Sequence, residues 1–392
     1  MNNPKITIWS KSFILLTLSV LFMAISFYFL IPTLPLYISQ VLHADNSTVG
    51  FVIAMFTISA LIIRPFGGYF LDRMGRKIIF IISFVFMAIF FNLYLVASTV
   101  VLMAAFRFIH GLAWGVTSTS GATLAVDILP CEKRGEGLGI YGLSMPIAMS
   151  IGPLLGFYIL HVSNYNILFI SGFVLCLIGL ILTLFIKYPH YEKPKKTRGL
   201  GFHSLIEVKS LPLSINVLFT SLPYGGLVSF VALYAAEAGV QNAGLFFLIF
   251  AGGIAISRIF AGKIFDKFGP KNLFLSGIVL LIIGLPILAL FKNPYGFFIS
   301  AAILGIGNGI IFPVSQAMIN NMVLINRRGV ANSTLFLAFD LGIGSGMILT
   351  GFLADKISLS NTFLLSSAIC ILGLIYALFF VFKHYEKNKI NI

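Results

Sequence analysis

The strongest constraint on this chain is a recurring run of about 20 mostly apolar residues, the length needed to cross a bilayer as a helix. Such runs fall near 12–36, 47–70, 78–97, 99–124, 137–160 and 164–186, and again near 211–236, 242–265, 272–291, 295–319, 329–354 and 360–382. They make twelve, in two groups of six. Their apolarity is unbroken, whereas a membrane β-barrel would alternate with period two. The expected class is therefore an all-α integral membrane protein of twelve transmembrane helices. The polar stretch between the groups sets the expected domains: a six-helix bundle over 1–186, a cytoplasmic linker over 187–209 and a second bundle over 210–392.

Charge supports the same class. The formal net charge is +14, yet only 10% of residues are charged and the mean hydropathy is +1.02. Basic residues diluted among 40 Phe do not form a nucleic-acid footprint. With both termini in the cytoplasm, all but five of the 26 Lys and Arg fall inside; Arg64, Arg107 and Arg258 lie in spans, and Lys292 and Lys356 outside. The opposite orientation inverts this bias, so the positive-inside rule puts both termini in the cytoplasm of a multi-pass cell-membrane protein. The basic linker, with Lys193, Lys195, Lys196 and Arg198, fits this rule and also fits anionic lipid headgroups. The first apolar run is too long for a cleaved leader and is read as a retained span.

An internal repeat follows. Arg64, Gly68, Asp72, Arg73, Gly75 and Lys77 recur as Arg258, Gly262, Asp266, Lys267, Gly269 and Lys271, each pair 194 positions apart. The same offset links Gly111 with Gly305, Gly115 with Gly309, Arg134 with Arg328, Gly152 with Gly346 and Cys176 with Cys370. Six spans being even, both copies enter the membrane in the same sense. Parallel repeats of this kind place a substrate site between the halves, opened alternately to either side.

The segment from Gly68 to Lys77 resembles the cytoplasmic loop signature of the major facilitator superfamily, with a weaker copy from Gly262 to Lys271. Arg107, His110, Gly111, Trp114 and Gly115 resemble the fourth-helix motif of its proton-coupled members. Gly139, Gly152, Pro153 and Gly156 resemble the fifth-helix motif of its antiporters, although Ala148 and Phe157 stand where glycines are usual. Pro32 to Tyr37 also resembles the twelve-helix drug:proton antiporter branch. The resemblance implies the major facilitator fold, alternating access, action as a monomer and a fifth helix sealed against the eighth. It also implies that Asp72 faces the start of the eleventh span and that Arg76 pairs with an acid at the inner end of the fourth, where Asp127 stands. Gly68, Asp72, Arg73, Gly75, Arg76, Asp127, Gly262 and Asp266 are thus expected to form a conformational latch.

Two charges are not explained by topology. Arg107 lies about eight residues into the fourth span, where an unpaired charge is costly, and His110 and Trp114 share its face. Its counterpart in the second copy is Ala301. Asp340 lies about twelve residues into the eleventh span and corresponds to Pro146. Arg107, His110 and Asp340 are candidates for proton coupling or substrate contact, and a buried carboxyl beside a cation can be poised to load and release a proton. The resemblance draws the cavity wall from the first, fourth, seventh and tenth spans, giving Tyr28, Trp114, Thr117, Tyr224, Ser229, Asn308 and Gln316. These side chains suit an amphipathic organic molecule.

The cysteines offer no metal spacing, and Gly137-x-Gly139-x-x-Gly142 opens a membrane helix rather than following a strand, so it is no dinucleotide site. No Walker loop or nucleophile elbow occurs. Neither cofactor nor metal is expected, and the expected partners are a small-molecule substrate, protons and the lipid bilayer. The expected activity is proton-coupled efflux of a small amphipathic drug or metabolite, not an enzyme reaction. The alternative is an uptake symporter or facilitative carrier for a sugar or organic anion.

Overall fold

Five of the spans begin where a short polar side chain satisfies a free backbone amide. Ser10, Thr99, Asn164, Asn293 and Ser358 accept hydrogen bonds from the amides of Phe13, Leu102, Ile167, Gly296 and Asn361. In the computed structural model, which describes residues 7–44, 46–189, 201–240 and 243–390, the helices are α1 (Lys11–Gln40), α2 (Asn46–Met74), α3 (Arg76–Leu93) and α4 (Val100–Ile128). α5 follows in two pieces, Arg134–Gly142 and Ser144–Val162, then α6 (Tyr165–Leu184). The second set is α7 (Leu211–Glu237), α8 (Ala243–Phe268), α9 (Pro270–Leu290), α10 (Pro294–Met322), α11 (Arg328–Ile357) and α12 (Leu359–Tyr376). Twelve helices are long and apolar enough to cross a membrane, and no strand occurs among the described residues. The linker residues 190–200 lie outside the described residues.

The turns between α2 and α3 and between α8 and α9 each need a left-handed residue. Gly75 has φ 107° and Gly269 φ 79°. A side chain at either would be strained, which accounts for a glycine at this place in both copies.

The chain forms two compact units that are not a plain cut at the linker. One comprises Met1–Pro130, Leu143–Ile206 and Ile325–Ser333; the other comprises Cys131–Gly142, Glu207–Leu324 and Thr334–Ile392. The break in α5 at Leu143 and the first turns of α11 mark where the backbone passes between units.

Within the first unit α2 lies along α4, and α1 lies along the second piece of α5 and α6. Within the second, α8 and α9 lie along α10, and α8 also contacts the first piece of α5. The 194-residue repeat is carried into these contacts. A methyl group at Gly111 would strike the Phe56 carbonyl, and one at Gly305 the equivalent Phe250 carbonyl. Gly115 is held against Ala60 and Gly309 against the equivalent Ile254. Small residues bring these backbones together, as membrane helices require in the absence of a hydrophobic drive between them. Large side chains such as Val101, Leu154 and Ile348 instead point outward, with 80%, 70% and 75% of their surface exposed, as lipid-facing positions should.

Overpacking sets the expected effect of mutation here. Gly111→Val and Gly305→Val should each destabilise the purified protein by about 1–3 kcal/mol, read as a lower thermal unfolding midpoint in detergent. Gly252→Ala, whose added methyl meets nothing within 4 Å, should be neutral or slightly stabilising.

Candidate functional site

The loop signature builds a buried ionic cluster in the first unit. The amides of Gly329 and Val330, in the first turn of α11, donate to Asp72 Oδ1 and Oδ2 at 3.0 and 2.8 Å. These amides have no partner inside their own helix, and the positive end of the helix dipole favours the carboxylate. Gly68 lets the two helices meet, since a methyl group there would overlap the Gly329 carbonyl and Val330. Arg76 binds Asp72 at 3.0 Å and, through Nε, Asp127 Oδ2 at 2.6 Å. Arg328 Nη1 takes the other oxygen of Asp127 at 2.6 Å. Arg76 also donates to the Ile325 carbonyl. All four charged side chains are buried.

Asp72, Arg76 and Asp127 are therefore brought together, and Arg328 completes the set. Arg73 is outside it: its guanidinium donates to the Tyr69 hydroxyl and lies 5.6 Å from that ring centroid.

The second copy reproduces the cap with different neighbours. Asp266 accepts from the amides of Gly135 and Glu136 at 2.9 Å each, and Gly262 lies against Gly135 and Glu136. Where the first copy has Asp127 and Arg76, the second has Asn321 and Pro270. Arg134, counterpart of Arg328, donates to Asn321 Oδ1. The hydrogen-bond scaffold is shared; the charge is not.

Two further basic residues in spans also have local partners. Arg64 Nη1 donates to Ser118 and Thr119 hydroxyls at 3.2 Å, and Arg258 donates to the Gly142 carbonyl.

Arg107 differs. It is buried in the first unit, with its Cζ 4.3 Å from the centroid of the Phe56 ring. Its Nε and Nη1 have no hydrogen-bond partner among the described residues. Nearby, the Tyr94 hydroxyl lies 2.7 Å from His110 Nδ1. The imidazole stacks against Phe90 and meets Phe91 edge-on, at centroid distances of 5.9 and 5.2 Å. Trp114, one turn on, stacks on Phe27 at 4.4 Å, and Phe27 stacks on Phe56 at 4.8 Å. Tyr28 meets Phe27 edge-on. Thr117 is fully buried, its hydroxyl donating to the Ala113 carbonyl. Phe27, Phe56 and Tyr94 are additions to the residues expected from sequence.

In the second unit Tyr224 is stacked between Phe250 and Phe339, with centroids 6.0 and 6.2 Å away. Phe339 immediately precedes Asp340, which is half-buried on α11. Asn308 donates to Leu304, Gln316 is buried and Ser229 is exposed.

The antiporter-type glycines serve two different contacts. Gly139 abuts the Arg258 carbonyl of α8, whereas Gly152 and Gly156 abut Tyr28 and Phe29 of α1. Pro153 lies within the second piece of α5. Sealing against α8 is thus carried by Gly139 within the second unit, and the other glycines seat α5 on α1. Among the described residues no group of three or more His, Cys, Asp or Glu could hold a metal.

The profile of the Major Facilitator Superfamily matches residues 16–241 and 213–392. The chain belongs to this superfamily of membrane carriers. It is 25% identical to the Multi-drug resistance efflux pump PmrA homolog of Lactococcus lactis, over 99% of both chains. It is 26% identical to the Staphylopine export protein of Staphylococcus aureus over 85% of this chain and 87% of that one. The Quinolone resistance protein NorA of S. aureus is 25% identical, over 83% and 85%. Among solved structures, the human organic anion transporter MFSD10 superposes with a TM-score of 0.81 at 13% identity, covering 93% of this chain and 98% of that one. The transporter FucP in its outward conformation superposes with a TM-score of 0.77 at 16% identity, covering 94% and 98%.

The difference between the two ionic clusters is measurable. Asp127→Ala takes the carboxylate from buried Arg328 and one of two carboxylates from buried Arg76, and should cost about 3–5 kcal/mol of stability. Asn321→Ala at the equivalent position breaks one hydrogen bond to a charged group and should cost about 1.5–3 kcal/mol. Unfolding of the two purified variants side by side in detergent checks the order.

Proposed function

We propose that this chain is a secondary active exporter that moves a small amphipathic organic molecule out of the cell in exchange for protons. The observation that carries this reading is the match along nearly the full length to proteins described as efflux and export carriers. The seating of Gly139 on α8 supports it, because Gly139 belongs to the α5 motif that resembles that of antiporters.

Arg107 and Asp340 are assigned the coupling. They are the charges that neither the helix-end clusters nor the positive-inside bias accounts for. Asp340 alternates between protonated and ionised forms as the carrier changes face, and Arg107 with His110 holds the polar part of the site. The aromatic side chains Tyr28, Trp114 and Tyr224 supply flat apolar surface for the substrate. The ionic cluster of Asp72, Arg76, Asp127 and Arg328 acts as the latch, holding one face closed until the substrate and proton exchange. Both termini and the linker are placed in the cytoplasm, the six-helix bundles are taken as 1–186 and 210–392, and the working unit is a monomer.

The energy is sufficient. One charge crossing 100 mV gains about 2.3 kcal/mol, enough for roughly a fifty-fold gradient. Proteoliposomes containing the protein should release protons when an exported dye is added. Asp340→Asn should abolish that release, and Arg107→Ala should reduce transport at least about tenfold. Substrate flux that ignores both pH and voltage would rule out exchange and leave facilitated diffusion.

A further inference from the structure

Three exposed lysines from three helices of the first unit meet at one corner. Lys11 opens α1, Lys77 stands in the first turn of α3, and Lys187 follows the end of α6. The Ser12 hydroxyl accepts from the Lys187 amide at 3.0 Å and donates to its carbonyl at 3.3 Å, tying the start of α1 to the end of α6. Lys77 Nζ lies 5.6 Å from the ring centroid of Tyr188, the residue after Lys187. The Tyr188 hydroxyl donates back to the Thr183 carbonyl, which fixes the ring. Trp9, two residues before Lys11, is exposed.

No described carboxylate of the unit answers these charges. Asp72 and Asp127 are engaged by Arg76, Arg328 and the first turn of α11. Nor does the shared scaffold demand the lysines. At the 194-residue offset Lys11, Lys187 and Tyr188 become Leu205, Val381 and Phe382, and only Lys77 recurs, as Lys271. Val381 and Phe382 are buried, and Phe382 meets Phe274 of α9 edge-on. The helix Phe382–Asn388 then brings His384 to the Lys209 carbonyl. One copy packs apolar side chains where the other presents ammonium groups. Both copies enter the membrane in the same sense, so an orientation bias for basic residues does not single out one corner.

Toward the bilayer the same helices expose Ile14, Ile78, Leu184 and Phe185. Apolar side chains on one level with Lys, Tyr and Trp on the next are the profile of a membrane interface, where long basic side chains reach the headgroups. An anionic phospholipid satisfies both levels at once, with acyl chains on the apolar surface and its phosphate among the ammonium groups. Free phosphate would leave the apolar level uncovered.

We propose that this corner of α1, α3 and α6 is a binding site for an anionic phospholipid, with Lys11, Lys77 and Lys187 around its phosphate and Tyr188 and Trp9 beside its glycerol. The bound lipid bridges the ends of three helices that the protein itself joins here by the Ser12–Lys187 hydrogen bonds.

The chain has two tryptophans, so Trp114→Phe leaves Trp9 as a reporter at the corner. In detergent micelles, brominated phosphatidylglycerol should quench Trp9 at a lower mole fraction than brominated phosphatidylcholine. In that background, Lys11→Gln, Lys77→Gln and Lys187→Gln should each weaken the phosphatidylglycerol response about fivefold. The three together should remove the preference while leaving the phosphatidylcholine response and the thermal midpoint unchanged. Lys11→Arg, Lys77→Arg and Lys187→Arg together should retain it. Equal quenching by the two lipids in the Trp114→Phe protein would overturn the proposal without any change at the corner, as would a preference that survives the triple Gln change. Lys193→Gln, Lys195→Gln and Lys196→Gln together should leave the preference intact; its loss there would move the lipid to the linker and overturn the assignment. Displacement of the lipid by glycerol 3-phosphate alone would show a phosphate site with no need of acyl chains, and would overturn it equally.

Discussion

The first turn of α11 carries amides that no helix can satisfy from within, and the carboxylate of Asp72 satisfies two of them. That contact requires a carboxylate at the end of α2, a glycine one turn earlier, and a left-handed turn at Gly75 to bring Arg76 back toward it. Arg76 then reaches Asp127 on α4, and Asp127 holds Arg328 on α11 itself. The ends of four helices are tied through one chain of hydrogen bonds. Buried charge is tolerable here because every oxygen of the two carboxylates is engaged.

The duplicated architecture repeats this arrangement with one substitution of kind. Asp266 caps the α5 piece as Asp72 caps α11, yet Asn321 and Pro270 replace the charged members. The close helix crossings at Gly111 and Gly305 are kept almost atom for atom. Crossings made by glycine depend on backbone approach, which the shared fold fixes in both copies. Ion pairs depend on individual side chains, and these have diverged. The same holds for Arg107, opposite Ala301, and Asp340, opposite Pro146. The scaffold is symmetric; the chemistry assigned to it is one-sided.

Much of this was legible in the sequence, because bilayer thickness dictates span length and the repeat offset ties the two copies together. The twelve helices and the positions of Asp72, Arg76 and Asp127 follow from those two constraints and from the family resemblance. Arg328 was visible as the partner of Arg134 in the repeat, but its bond to Asp127 was not, since it spans 201 residues. Phe27, Phe56 and Tyr94 could not be singled out among 40 Phe and 14 Tyr, where apolar pattern carries no record of which ring meets which. The Thr117 hydroxyl returns to the backbone of its own helix, a choice that hydropathy does not encode. The exchange of 131–142 and 325–333 between units was likewise hidden, because a span reads the same whichever neighbour it joins.

That exchange has a consequence for the order of synthesis. Helices α1 to α4 leave the ribosome long before residues 325–333 exist, so Asp72 must wait for its amide partners and Asp127 for Arg328. The N-terminal unit, although made first, is among the last parts of the chain to be completed. Until then Asp72 and Asp127 have Arg76 beside them but neither Arg328 nor the amides of α11. A nascent carrier is therefore a bundle with an open charged end, and only the eleventh helix closes it.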